Sequence, residues 1–186
     1  MTKPQPEPRP EAGIPRFPRL AARLLGRMPL LPLSLSLTAY ARRIAKSHPS
    51  LFRRLGEHDH ARFVLDPVDL PFVICLAPNG GAPKVRLQRG SGEGTARIAG
   101  PLAALLGLVH GAYDGDALFF SRDLVIEGDT AAALALRNAI DDAELDLAEE
   151  LSQMSGPWKA YVDKALAFAE RRTGVHLTRP EEISAW

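Results

Sequence analysis

Lys84-Val-Arg-Leu-Gln88 alternates charged or polar side chains with apolar ones, residue by residue. That is the period of a strand with one buried face, so Val85 and Leu87 are expected to point into a core. Phe72 to Leu76 is apolar throughout, which suits a strand covered on both sides. Arg62 to Leu65, the alternation of Ala96 and Ile98 with Thr95 and Arg97, and Leu124 to Ile126 predict three more strands. Ala77-Pro-Asn-Gly-Gly81 and Gly90-Ser-Gly-Glu-Gly94 read as turns, the second as a hairpin turn because strands flank it on both sides.

Elsewhere the apolar period is that of a helix. Leu20, Leu24, Leu25 and Met28 form one stripe, and Arg19, Arg23 and Arg27 form another at four-residue spacing. Pro29 and Pro32 interrupt this short basic amphipathic helix. A second helix is expected over Ser34 to Ser47, with Tyr40, Ala41 and Ile44 inward and Arg42, Arg43 and Lys46 outward. Pro49 opens a further turn carrying Leu51, Phe52 and Leu55, and Gly56 ends the helical region. Pro101 suits the first position of a helix whose apolar side is Leu102, Leu105, Leu106 and Val109. His110 falls at the end of that helix, ahead of Gly111 and the Asp114-Gly115-Asp116 turn. Asp129 or Thr130 can cap the next helix, because either side-chain oxygen accepts a bond from a first-turn amide. An acidic helix from Asp141 to Met154 follows, then a break at Ser155-Gly156-Pro157. A last helix carries Trp158, Tyr161, Val162, Ala165 and Phe168 or Ala169 on one face.

The order predicts an α+β domain: four strands in an antiparallel meander, a helix, a fifth strand, and helices at both ends. The sheet is five-stranded and mostly antiparallel, with helices packed on it. The expected divisions are a disordered Pro-rich tail over 1–18, a basic helical region over 19–56, a compact domain over 57–141 and C-terminal helices over 142–186.

Composition adds one feature. The net charge of +1 conceals an asymmetry: residues 1–56 hold eleven Lys and Arg against Glu7 and Glu11, while the remainder holds twelve basic and twenty acidic groups. A basic N-terminal region beside an acidic body suggests contact with an anionic surface. Cys75 is the lone cysteine, so no intrachain disulfide can form and a reducing, cytoplasmic setting is expected. Met28 to Leu37 is too short to span a bilayer, which leaves peripheral attachment at the inner membrane as the expected mode of contact.

The sequence offers little chemistry. Glu57-His-Asp-His60 has two histidines but no third or fourth zinc ligand nearby. The Gly90–Gly94 run lacks the strand-then-helix setting of a dinucleotide loop. No nucleophile motif occurs. The expectation is a protein without cofactor, metal or catalytic residue. Few aromatics accompany the N-terminal arginines and no nucleic-acid reading motif appears, so nucleic acid is not expected as a partner.

Ala117-Leu-Phe-Phe-Ser-Arg-Asp-Leu-Val-Ile-Glu-Gly-Asp-Thr130 resembles a signature block of the sterol-carrier-protein lipid-binding family. The resemblance runs from about His60 to Ile140, with the Pro101-Leu-Ala-Ala-Leu-Leu helix and the Asp114–Asp116 turn in the expected order. Thr95 departs from it where that family often has an acidic residue. The N-terminal helices, Phe52-Arg-Arg-Leu55 and Asn138-Ala-Ile-Asp-Asp-Ala-Glu-Leu145 are similar to the branch that assists bacterial ubiquinone biosynthesis.

The resemblance implies an apolar tunnel for a fatty or isoprenoid chain, walled by Phe63, Phe72, Ile74, Val85, Leu87, Leu102, Leu106, Val109, Phe119, Phe120 and Leu134. A solid core and a tunnel want the same residues, and on periodicity alone the solid core is favoured; the resemblance reverses that preference. The resemblance further implies a non-catalytic accessory factor that holds prenylated quinone precursors, with the iron–sulfur hydroxylation proteins of the oxygen-independent ubiquinone pathway as partners. Arg19, Leu20, Arg23, Leu24, Leu25 and Arg27 would touch the membrane. The alternative is a protein-interaction module that docks partner enzymes through the Trp158–Phe168 stripe and the acidic 141–150 segment, without a lipid.

Overall fold

The computed structural model describes residues 14–110 and 122–143, with Lys164 standing alone. Residues 1–13 of the tail expected over 1–18, the Phe119–Phe120 pair and the Trp158 stripe lie outside the described residues. Three helices open the fold: α1 (Arg19–Leu25), α2 (Leu30–Ser47) and α3 (Pro49–Arg54). Five strands follow, β1 (Phe63–Pro67), β2 (Val73–Ala77), β3 (Lys84–Gln88), β4 (Ala96–Gly100) and β5 (Val125–Gly128). Helix α4 (Leu102–His110) lies between β4 and β5, and α5 (Thr130–Ala143) follows β5.

The strands form one mixed sheet in the order β3-β2-β1-β4-β5, in which β1 pairs in parallel with β4 and every other pair is antiparallel. This corrects the expected four-strand meander. Strands β3 and β4 run the same way, and no hairpin can join them. The Gly90–Gly94 segment is therefore a diagonal crossover. A Cβ on Gly92 would come within 2.9 Å of Val64 and 3.1 Å of the Cys75 sulfur, and one on Gly94 within 2.7 Å of the Arg62 carbonyl oxygen. Glycine is needed there for close passage over the sheet, not for a tight turn.

Register separates two faces. Phe63, Leu76 and Val85 lie in one row, Leu65, Ile74, Leu87, Ile98 and Ile126 in the next, all on one side. Val64, Cys75, Arg86, Arg97 and Glu127 lie on the other. The first face carries the core, where Phe63, Ile98, Leu105, Leu108, Leu124 and Leu136 are buried together with small alanines from α4 and α5. Ile44, Leu51 and Leu55 close it from the N-terminal helices. The second face is crossed by the Gly-rich segment and carries Arg97, which bonds to Asp66 and to Glu127. These carboxylates, Asp66 foremost, hold the Arg97 guanidinium above its ordinary pKa.

Local chemistry explains the boundaries. Pro32 falls in the first turn of α2, where a missing amide costs nothing, so the helix starts at Leu30 rather than Ser34. Asp129 caps α5 through its Oδ1, which accepts from the Ala132 amide at 3.0 Å. The N-terminus of α4 is capped from a distance: Asp69 Oδ1 accepts from Leu102 N–H at 2.9 Å. Its Oδ2 accepts from Phe17 N–H at 2.8 Å, which ties the segment ahead of α1 to the domain. Ile14 packs against the core, so the segment expected to be tail is placed from residue 14 onward.

Candidate functional site

Two apolar regions could receive a hydrocarbon. The first is the layer between the sheet and its helices. Phe63 is fully buried there and Val109 packs against the same cluster. Phe72 and Leu87 are also buried, outside that cluster. Ile74, Val85, Leu102 and Leu106 are only partly buried. Ile74 and Val85 share the helix-facing side of the sheet with Phe63 and Leu87. Leu102 and Leu106 stand one turn apart on α4. Leu134 departs from the expected wall: it is 50% exposed, because the period of α5 turns Ala132, Ala133, Leu136 and Ala139 inward instead.

The second region is the N-terminal elbow. Helices α1 and α2 meet at a 98° bend, and no single described helix is long and apolar enough to cross a membrane. Leu20 is 74% exposed and Leu24 67%, with Leu25 partly buried and Arg19, Arg23 and Arg27 exposed beside them. Met28, Leu31 and Leu35 continue the exposed stripe on to α2. The signal for Leu31 and Leu35 lay in the apolar run through Leu37, but a run without clear period does not say which residues face out.

Helix α2 is fixed along the free edge of β3 by side chains. Ser34 Oγ accepts from Leu87 N–H at 2.9 Å, and Thr38 Oγ1 both accepts from Val85 N–H at 3.0 Å and donates to the Val85 carbonyl at 2.8 Å. Arg42 Nε donates to the Pro83 carbonyl at 3.4 Å. The match is geometric: four helical residues rise about 6 Å, and two strand residues about 6.6 Å. Ser34, Thr38 and Arg42 thus meet every second residue of the strand and satisfy an edge that would otherwise invite pairing with another chain. At the elbow, Arg89 donates to the carbonyls of Gly26 (2.9 Å) and Met28 (3.0 Å). A groove of about 680 Å³ runs along this seam, lined by Leu31, Leu35, Ala39, Arg42, Lys84 and Arg86 among others.

Glu57 and His58 lie in a 3-10 turn and His60 is exposed; among the described residues no group of three His, Cys, Asp or Glu is gathered to hold a metal. Burial pushes the Cys75 thiol up, with Arg86 acting against it, so the sulfur is a poor nucleophile at neutral pH.

A protein described as a UbiJ-SCP2 ubiquinone synthesis protein aligns with 63% of this chain and 97% of its own, at 17% identity and a TM-score of 0.51. A crystal structure of sterol carrier protein 2 covers 59% of this chain and 94% of its own at 16% identity, TM-score 0.45. The apo sterol carrier protein 2 of Yarrowia lipolytica covers 60% and 92% at 15% identity, TM-score 0.41. No curated protein matches the sequence. The model of the SCP-2 sterol transfer family matches residues 39–141, starting inside α2 and ending inside α5, and the chain belongs to that family.

Proposed function

We propose that this chain is a non-catalytic accessory factor that holds or presents isoprenoid precursors of ubiquinone, in the manner of the bacterial factor UbiT. The observation that carries the reading is the partly buried apolar set Ile74, Leu102 and Leu106, next to buried Phe63 and Leu87. A closed core would bury the first three as fully as the last two. Partial exposure of apolar groups at the edge of a core is what a hydrocarbon guest would cover. Similarity of fold to a ubiquinone synthesis protein supports the choice of guest.

The physical need is plain. Each methylene taken out of water contributes about 0.8 kcal/mol, so ~10 of them amount to on the order of 8 kcal/mol. A prenylated ring of that kind rarely leaves the bilayer unaided. Enzymes that modify it work at the membrane or receive it from a carrier. In this reading Arg19, Arg23 and Arg27 meet anionic headgroups while Leu20 and Leu24 enter the interface, at about 1 kcal/mol per cation. The protein is cytoplasmic and peripheral at the inner membrane, and it delivers its guest to iron–sulfur hydroxylation proteins of the oxygen-independent pathway.

The test is organic extraction of the purified protein followed by mass spectrometry. A co-purifying polyprenyl phenol or quinone is the expected result, reduced in Leu102→Asp and Leu106→Asp variants. A protein free of lipid after expression in cells that make ubiquinone sinks the carrier reading.

A further inference from the structure

We infer that the α2–β3 seam is a second lipid site, specific for an anionic phospholipid in a bilayer, and that it sets how the protein stands on the membrane. This deepens the membrane contact proposed above, which named α1 alone. The groove is amphipathic along its length. Leu31 forms its lower end and Leu35 stands one turn above it, level with Arg86; they are 72% and 63% exposed. Arg42, Lys84 and Arg86 line the rest of it, and no carboxylate is among the described lining residues.

The hydroxyl ladder makes this gradient a rigid one. Ser34 meets Leu87, Thr38 meets Val85 and Arg42 meets Pro83, so α2 and β3 run in opposite directions. Arg86 therefore lies level with the turn between Ser34 and Thr38, and Lys84 level with the turn between Thr38 and Arg42. At 1.5 Å per residue, Leu31 stands roughly 7 Å below the level of Arg86. That offset is comparable to the depth to which apolar faces sink at a membrane interface, about 5–10 Å.

Leu31 at that depth places Arg86, Lys84 and Arg42 in the phosphate layer. The 98° bend then lays α1 in the plane of the surface while α2 rises from it. Met28 at the elbow and Leu20 and Leu24 on α1 are exposed and continue the apolar contact. Arg89, holding the Gly26 and Met28 carbonyls, keeps the elbow against the strand. One phospholipid fits this geometry, with its phosphate among the three cations and its acyl chain beside Leu35 and Leu31. The cations come from two elements, and neither α2 nor β3 alone presents all three.

Partition of the full chain into vesicles of phosphatidylcholine, with and without phosphatidylglycerol, tests this. Neutralising three interfacial cations is expected to weaken binding on the order of a hundredfold. An Arg42→Gln/Lys84→Gln/Arg86→Gln variant should therefore lose its preference for phosphatidylglycerol and keep its weak binding to phosphatidylcholine. Lys84→Gln/Arg86→Gln, which leaves the ladder intact, should lose most of it and guards against misfolding of the triple variant. Wild-type preference in both variants overturns the site and returns the contact to α1. Displacement from vesicles by inorganic phosphate, at an ionic strength matched with chloride, assigns the cations to a free oxyanion and overturns it equally. The extracted-lipid measurement is independent: an empty interior with groove-dependent vesicle binding defeats the carrier reading and leaves this site standing.

Discussion

The elbow and the body of this protein use leucine for opposite purposes. In the body, Leu105, Leu108, Leu124 and Leu136 are buried around Phe63. On the elbow, Leu20, Leu24, Leu31 and Leu35 are between 63% and 74% exposed, with arginines alongside. Large apolar side chains left in water on a run of adjacent turns are not an outcome of folding energetics, because burying each would stabilise the chain by about 1.5–3 kcal/mol. The body stores its apolar surface and the elbow displays it. A substitution should therefore act on stability in one region and on surface binding in the other.

Phe63→Ala gives the largest expected effect. It removes a fully buried ring from the centre of the helix-facing layer, at a cost of about 3–5 kcal/mol in urea unfolding. A loss below about 1 kcal/mol would mean that the layer collapses around the gap and is not one tightly packed unit. Gly100→Ala comes next. A Cβ there would stand 2.5 Å from the Asp123 carbonyl oxygen and 2.6 Å from Leu124. Overpacking of that kind destabilises by about 1–3 kcal/mol and should lower the thermal midpoint.

Asp69→Ala tests the tie between the regions. It frees the Leu102 amide at the start of α4 and the Phe17 amide ahead of α1, and loss of a cap costs about 0.5–2 kcal/mol. Amide exchange at Phe17 should quicken in that variant, while exchange in the centre of β1 should stay slow. Leu31→Ser/Leu35→Ser should change stability least, within about 0.5 kcal/mol, because the side chains are already in water. The same variant should bind vesicles poorly. If it instead lowers the midpoint as much as Asp69→Ala, the elbow belongs to the body and the comparison fails.

Much of the fold could be read from the residues. The alternation in Lys84–Gln88 appears as β3 with the same bounds, and of the two expected cap candidates, Asp129 and Thr130, Asp129 caps the helix. The five strands and their mostly antiparallel pairing follow from runs of apolar residues bounded by turns. The parallel β1–β4 pair did not, since a glycine-rich segment between two strands is written the same way whether it turns back or crosses over. The parallel pairing of β1 with β4 decides between them, and Gly92 and Gly94 permit the close passage over Val64, Cys75 and Arg62. Leu134 was assigned inward by resemblance, although Ala132, Ala133, Leu136 and Ala139 compete for the same face of α5 and win it.

The sequence by itself determined the local elements, the charge division between the N-terminal region and the rest, and the family to which the block around Leu124–Thr130 points. These depend on neighbours within a turn or a strand, where periodicity and capping act directly. The tertiary structure alone decided strand order, the docking of α2 along the β3 edge and the gathering of Arg42 with Lys84 and Arg86. Those rest on pairings 41 to 53 residues apart, such as Arg42 with Pro83 and Ser34 with Leu87. Contacts at such separation are selected by how whole surfaces fit, and no local pattern in the chain records them.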